Sequence, residues 1–274
     1  MRIIRMILGA ALLFGVTGCG DEQATVVPAA SSSAQVSGAH SQEAVRSADQ
    51  VVVSRSLRFG SVNAAPYGSF SEKGEVDVFV KAVHSADKIQ GILDVVQPDY
   101  DVVIEQDGKR WEIHLWLFAH AEHGMYTYVS DTGTGYKLTA ESTRELYKLI
   151  WGLRYEPKQA AANGDFVNAH GKLSNLDVWE KFVANVKAGI RDEVQVVQYT
   201  IEGGPIFDNL SFDGETIMHK HDNTHDAHGS PAKRFEFCKS IEEKNSDRGT
   251  EYNLTSCGEG SSLKGTFNLN LENQ

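Results

Sequence analysis

Residues 100–117 read YDVVIEQDGKRWEIHLWL. Asp-Gly between two alternating runs marks a two-residue hairpin turn, because both central residues of that turn need positive φ. A turn at Asp107-Gly108 sets Gln106 opposite Lys109. Tyr100, Val102 and Ile104 then share one face with Trp111, Ile113 and Leu115. That face is wholly apolar and should cover a core, since side chains alternate strictly across a strand. The other face pairs Glu105 with Arg110 and Asp101 with His114, read as surface ion pairs. An apolar sheet face needs a second layer, and the segments on either side supply helices, so the expected class is α+β.

Working outward, a strand is expected over Val51–Leu57. A helix over Glu72–Ser85 follows from the helical recurrence of Val76, Phe79, Val80 and Val83, with a capping box between Ser69 and Glu72. Strands near Met125–Ser130 and Tyr136–Leu138 precede a helix over Glu141–Trp151, capped by Thr139. The polar stretch EPKQAAANG, Glu156–Gly164, reads as a linker between domains at 51–155 and 165–274. Beyond it come a strand at Asp165–Ala169 and a helix at Leu176–Ala188, with Asn175 as its cap and Gly189 at C′. The rest reads as strands: Glu193–Ile201, Pro205–Ser211, Glu215–His221, Arg234–Ile241, Glu251–Ser256 and Thr266–Leu271. Each domain is expected to be one sheet with helix packed on it.

The first 18 residues carry Arg2 and Arg5, then an apolar run from Met6 to Val16, then Thr17-Gly18 before Cys19. Eleven apolar residues are too few for a spanning helix, which takes roughly 20. They match the h-region of a signal peptide. Val16-Thr17-Gly18-Cys19 resembles the lipobox of bacterial lipoproteins, which implies that the Cys19 thiol carries a diacylglycerol and becomes the first mature residue. Residues 19–50, rich in Ala, Ser, Gln and Gly, read as a disordered tether. The expected address is the extracytoplasmic face of the cell membrane, through the lipid anchor.

Cleavage removes Arg2 and Arg5, leaving 24 basic against 37 acidic side chains, a charge of −13 with histidine neutral. That argues against nucleic acid as a partner, which selects a basic face. It also argues against lying flat on anionic lipid. Of three cysteines, Cys19 is committed to lipid; Cys238 and Cys257 are expected to form a disulfide, which an exported compartment permits. Two hairpin registers are open for the intervening segment. One sets Cys238 opposite Cys257; the other offsets them by about four residues and forbids the bond.

Further residues carry a family resemblance. Gln97-Pro98-Asp99-Tyr100-Asp101 and His114-Leu115-Trp116-Leu117 resemble the YhfM-like domain of Gram-positive lipoproteins. Asn163-Gly164-Asp165, His170-Gly171, Asn175-Leu176-Asp177 and Tyr199-Thr200-Ile201-Glu202-Gly203 resemble a second uncharacterised lipoprotein domain. Pro205, Asp213-Gly214, Asp222-Asn223 and the two cysteines extend that match. The resemblance implies a membrane-anchored surface lipoprotein. It brings no activity and no catalytic residues.

For chemistry, the densest group is His219, His221, His225 and His228, interleaved with Asp222 and Asp226. Imidazole and carboxylate at short spacing suit zinc. His219 and His221 fall on one strand face, and a two-residue turn at Asp213-Gly214 places Asp208 opposite His219. Asp208, His219 and His221, with His225 nearby, are therefore the candidate ligands should a metal bind. The bland reading is a solvated strand end, and the histidines lie outside the family pattern. His114, His120 and His123 read as surface residues. No Gly-x-Ser-x-Gly elbow, Walker loop or His-Glu-x-x-His is present. The expected function is a non-enzymatic module binding an envelope protein or ligand, with no cofactor. The alternatives are an extracytoplasmic zinc-binding protein and an envelope-polymer hydrolase whose two carboxylates face an inter-domain cleft.

Overall fold

The computed structural model describes residues 49–118, 120–258 and 264–272, all within one compact unit, Val45–Gln274. The signal segment, Cys19 and the tether up to residue 48 lie outside the described residues. Among the described residues no helix is long and apolar enough to cross a membrane.

The first half contains β1 (Gln50–Arg55), β2 (Pro66–Phe70), α1 (Lys73–His84), β3 (Asp87–Lys88), β4 (Tyr100–Gln106), β5 (Lys109–Trp116), β6 (Met125–Tyr128), β7 (Asp131–Lys137) and α2 (Ala140–Trp151). Its strands form one antiparallel sheet in the order β2-β1-β4-β5-β6-β7-β3. The β4–β5 hairpin has Gln106 opposite Lys109, as the Asp-Gly turn requires, with positive φ at Asp107 and Gly108. Its apolar face joins Val51 and Val53 of β1 under Val76 and Phe79 of α1 and Leu146 and Ile150 of α2. Thr139 caps α2, its hydroxyl oxygen accepting from the Ser142 amide at 3.1 Å. The expected Ser69–Glu72 capping box does not form. Ser69 belongs to β2, and Glu72 is itself the N-cap, without a side-chain cap bond.

The other face of the hairpin is exposed at the turn end, where Arg110 pairs with Glu105, but not at the far end. Asp101 and His114 are fully buried and bonded at 2.7 Å. The 57–63 segment covers them: the amides of Gly60 and Asn63 donate to His114 Nε2 and Asp101 Oδ2, and Phe59 stands edge-on to the imidazole. Two fixed backbone donors meet the pair's remaining acceptor positions, which is how a polar pair becomes tolerable in a core.

The second half begins with α3 (Pro157–Ala162), inside the stretch read as a linker, with Pro157 at the position proline favours. Then come β8 (Phe166–Ala169), β9 (Lys172–Ser174), α4 (Leu176–Ala188), β10 (Asp192–Tyr199), β11 (Pro205–Phe212), β12 (Ile217–Asp222), β13 (Lys233–Cys238), β14 (Ser240–Ser246), β15 (Gly249–Thr255) and β16 (Lys264–Glu272). A single sheet was expected here; there are two. One is mixed, in the order β13-β12-β11-β10-β8-β9, and the other is the meander β14-β15-β16. α4 lies against both. Its Trp179 is fully buried, with ring centroids 6.2 Å from Phe166 of the first sheet and 5.3 and 5.5 Å from Tyr252 and Phe267 of the second. Gly189 ends α4 in the left-handed conformation. Asn175 occupies the N-cap position but makes no side-chain cap bond; it sits in the left-handed region and donates to the carbonyls of Ala161 and Asp165.

The strand read as Arg234–Ile241 changes sheets at Lys239. β13 pairs with β12, while β14 pairs with β15. Ser240 faces Thr255 and Ser246 faces Gly249, so the same register continued back by two residues sets Cys238 against Cys257. Their sulfurs lie 2.02 Å apart, at disulfide distance.

The two halves share a third core, in which Tyr67 of β2 packs with Tyr155, Ala160, Val167, Val197 and Phe207. Beside it runs a buried ionic network. Arg55 Nη2 meets Asp222 Oδ2 at 2.7 Å and its guanidinium lies 4.5 Å above the Phe207 ring. Lys233 meets Asp99 at 2.8 Å, and Lys220 donates to the Pro98 carbonyl.

Candidate functional site

The candidate centre is built by alternation on the face of the mixed sheet that turns away from the first half. Asp208 of β11 stands opposite His221 of β12, and Leu210 stands opposite His219. The expected register put Asp208 opposite His219. The real turn has four residues, Asp213–Thr216, so the pairing slides by two. A slide of two keeps every side chain on its face, and the predicted group still assembles. Asp208 Oδ1 lies 2.8 Å from both His219 Nε2 and His221 Nδ1. Asp213 sets the turn length by accepting from the amides of Glu215 and Thr216 through Oδ1.

His225 is not part of this group. Its two ring nitrogens meet the hydroxyls of Tyr67 at 3.0 Å and Tyr100 at 2.8 Å, in the core shared by the halves. Burial first, and then the nearby Arg55 charge, push its pKa down to about 4. His228 lines a surface groove beside Trp151 and Asp226. His114 lies in the other half, paired to Asp101.

A fourth residue, absent from the sequence reading, completes the centre. Glu236 of β13 stands opposite His219, and its Oε1 lies 2.7 Å from His219 Nδ1. The β12–β13 ladder brings it there, and its signal was the strand alternation that also places Cys238 on this face. Glu236 is in turn fixed by Thr266 of β16, whose amide and hydroxyl donate to Oε1 at 2.8 and 3.0 Å.

Carboxylates only accept hydrogen bonds, so a carboxylate within reach of each nitrogen of His219 favours its protonated form. Burial works to lower its pKa, and the bonds to Asp208 and Glu236 outweigh burial, so the net shift is upward. For Asp208, burial pushes upward and the two histidines outweigh it, leaving its pKa below the usual carboxylate range. Asp208 and His219 are buried, whereas the His221 side chain is 22 % exposed, so the group opens to solvent on the His221 side.

These three ligand atoms lie within 4.8 Å of one another. Tetrahedral zinc with ligands near 2.0–2.1 Å spaces its donors by about 3.3 Å. A zinc ion there would require the two contacts of Asp208, each 2.8 Å, to open by about half an ångström. Two imidazoles and one carboxylate are a borderline donor set suited to zinc and its neighbours, not to calcium or magnesium.

Between the halves is a cleft of about 160 Å³ with a mixed lining, polar at Asn63, Asp165 and Glu193 and apolar at Leu57, Val178 and Met218. Its two acids are differently engaged. Glu193 pairs with Arg58, while Asp165 accepts from the Tyr155 hydroxyl at 2.6 Å, and burial lifts its pKa to about 6.

No curated protein and no solved structure matches the chain. Residues 61–156 match the family model described as YhfM protein, and residues 163–253 match the one described as Domain of unknown function (DUF4362). Asp208, His219, His221 and Glu236 all fall within the second match. The chain thus joins an N-terminal YhfM-like domain to a C-terminal domain of unknown function.

Proposed function

We propose that the chain is a lipid-anchored extracytoplasmic module that reversibly binds a divalent transition metal, zinc foremost, through Asp208, His219 and His221. One observation carries the metal reading: a single carboxylate oxygen stands 2.8 Å from a nitrogen of each of two histidines, one buried and one open to solvent. The address rests on the sequence, on the lipobox-like Val16–Cys19 and the exported chemistry of a cysteine pair at disulfide distance.

Cobalt(II) titration of the metal-free full chain tests the site. One equivalent should give the visible bands of a tetrahedral nitrogen–oxygen site, absent from His221→Ala. A spectrum of hexa-aquo cobalt at every ratio would refute the metal reading. Membrane fractionation tests the address separately: Cys19→Ser should move the protein to the soluble extracytoplasmic fraction, and retention in the membrane would refute the anchor.

A further inference from the structure

Glu236 has no place among the three metal ligands, yet it is the best-held side chain of the centre. It bonds the far nitrogen of His219, and three donations from Thr266, two from the amide and one from the hydroxyl, fix its carboxylate. It reaches across two sheets, from β13 to β16. Gly265 makes the approach feasible: a Cβ there would stand 3.0 Å from Glu236 Oε1 and 2.9 Å from Cys257 Sγ. Cys238, two residues beyond Glu236 on the same face, ties that strand end to Cys257. Glu236 is thus clamped by hydrogen bonds in front and by the cysteine pair behind.

We infer that Glu236 is the positioning residue of the metal centre, holding the proton on His219 Nδ1 so that Nε2 is the nitrogen presented to the metal. This rests on the metal reading above. A carboxylate accepting from the far nitrogen of a ligating histidine fixes its tautomer and ring orientation and raises its basicity. Here the orientation is set in advance of the ion. His219 cannot turn without abandoning a buried carboxylate, and Glu236 cannot turn without abandoning Thr266.

The test uses the ¹⁵N-labelled full chain loaded with zinc. Long-range ¹H–¹⁵N correlations should show His219 of the wild type as a single species, protonated on Nδ1 and metal-bound on Nε2. Glu236→Leu removes the acceptor. With His219 no longer held in one orientation, it should show a mixture of the Nε2-bound form and unbound, tautomer-exchanging forms, and bind zinc about 10–100-fold more weakly. Glu236→Gln keeps an acceptor oxygen and should restore the single tautomer and most of the affinity. Should the leucine variant fail to fold, Glu236→Gln carries the test alone, through an affinity loss of several-fold from the missing charge. Wild-type affinity within twofold in the folded leucine variant, with the Nδ1–H tautomer kept, overturns the inference while leaving the metal reading intact. An unchanged glutamine variant does the same if only that one folds. No zinc binding by the wild type overturns both.

Discussion

Arg55→Met should cost about 3 kcal/mol and should do so in a single transition for both halves. Arg55 and Asp222 are 167 residues apart in sequence and almost wholly buried, with their charged atoms 2.7 Å apart. Removing one partner of such a pair strands the other in low dielectric, at about 3–5 kcal/mol. The lower end applies, because Asp222 Oδ1 keeps the amide and hydroxyl of Thr224, at 2.9 and 2.6 Å. Against burial, the Arg55 charge holds the Asp222 pKa well below the carboxylate range, so losing it also raises the pH at which Asp222 takes a proton. Asp222→Leu added to Arg55→Met removes the stranded charge and should recover most of the loss, since a buried pair replaced by apolar groups is often neutral. Urea unfolding followed at tryptophan and far-UV wavelengths measures both. Trp111 and Trp116 report the first half and Trp179 the second. A single-variant cost under about 1 kcal/mol, or additive costs in the double variant, would refute the reasoning. So would two separate transitions.

Three other outcomes are expected. Asp165 is an acid whose folded pKa, about 6, lies above its ordinary 3.8, so its contribution falls by about 3 kcal/mol as pH rises through that window; His225, lowered from 6.5 to about 4, contributes a rise of similar size over nearly the same range. The two cancel in the wild type, and Asp165→Asn should uncover stability climbing by about 3 kcal/mol from pH 4 to 6.5; an unchanged denaturation profile would show the cancellation to be absent. Reducing the Cys238–Cys257 pair, which closes a sequence separation of 19, should lower stability by about 3 kcal/mol in a denaturant titration with and without dithiothreitol; coincident curves would rule this out. Gly249 has φ of 143°, and a Cβ there would lie 2.0 Å from the Leu271 carbonyl oxygen, so Gly249→Ala should lose more than about 1 kcal/mol and loosen β15–β16 in amide exchange, whereas wild-type protection there would contradict the assigned geometry.

What could be read from sequence was local. The Asp107-Gly108 hairpin, α2 with its Thr139 cap and the bounds of α4 follow from turn chemistry and periodicity, which act within a few residues. The clustering of Asp208, His219 and His221 was legible despite a wrong register, because a slide of two leaves all three on one face. Missed features depend on distant partners. β2, β3 and β9 are short and carry little apolar alternation. Nothing near Lys239 announces the change of sheet, which is decided by how β15 pairs and how α4 fills the space between. Asp101 and His114 look like surface residues until the 57–63 segment folds over them. Arg55, Lys220 and Lys233 carry no local signal of burial, since their partners lie in the opposite half. Glu236 was within reach: once His219 is placed on its face, the neighbouring strand's alternation brings an acid opposite it.

Zinc calorimetry on the metal-free full chain, with the wild type and His219→Ala side by side, tests the central claim most directly. One site is expected in the wild type, and at least about a hundredfold weaker binding, some 2.7 kcal/mol, when the buried ligand is removed. Wild type without measurable heat, or a folded His219→Ala that binds as the wild type does, would contradict it.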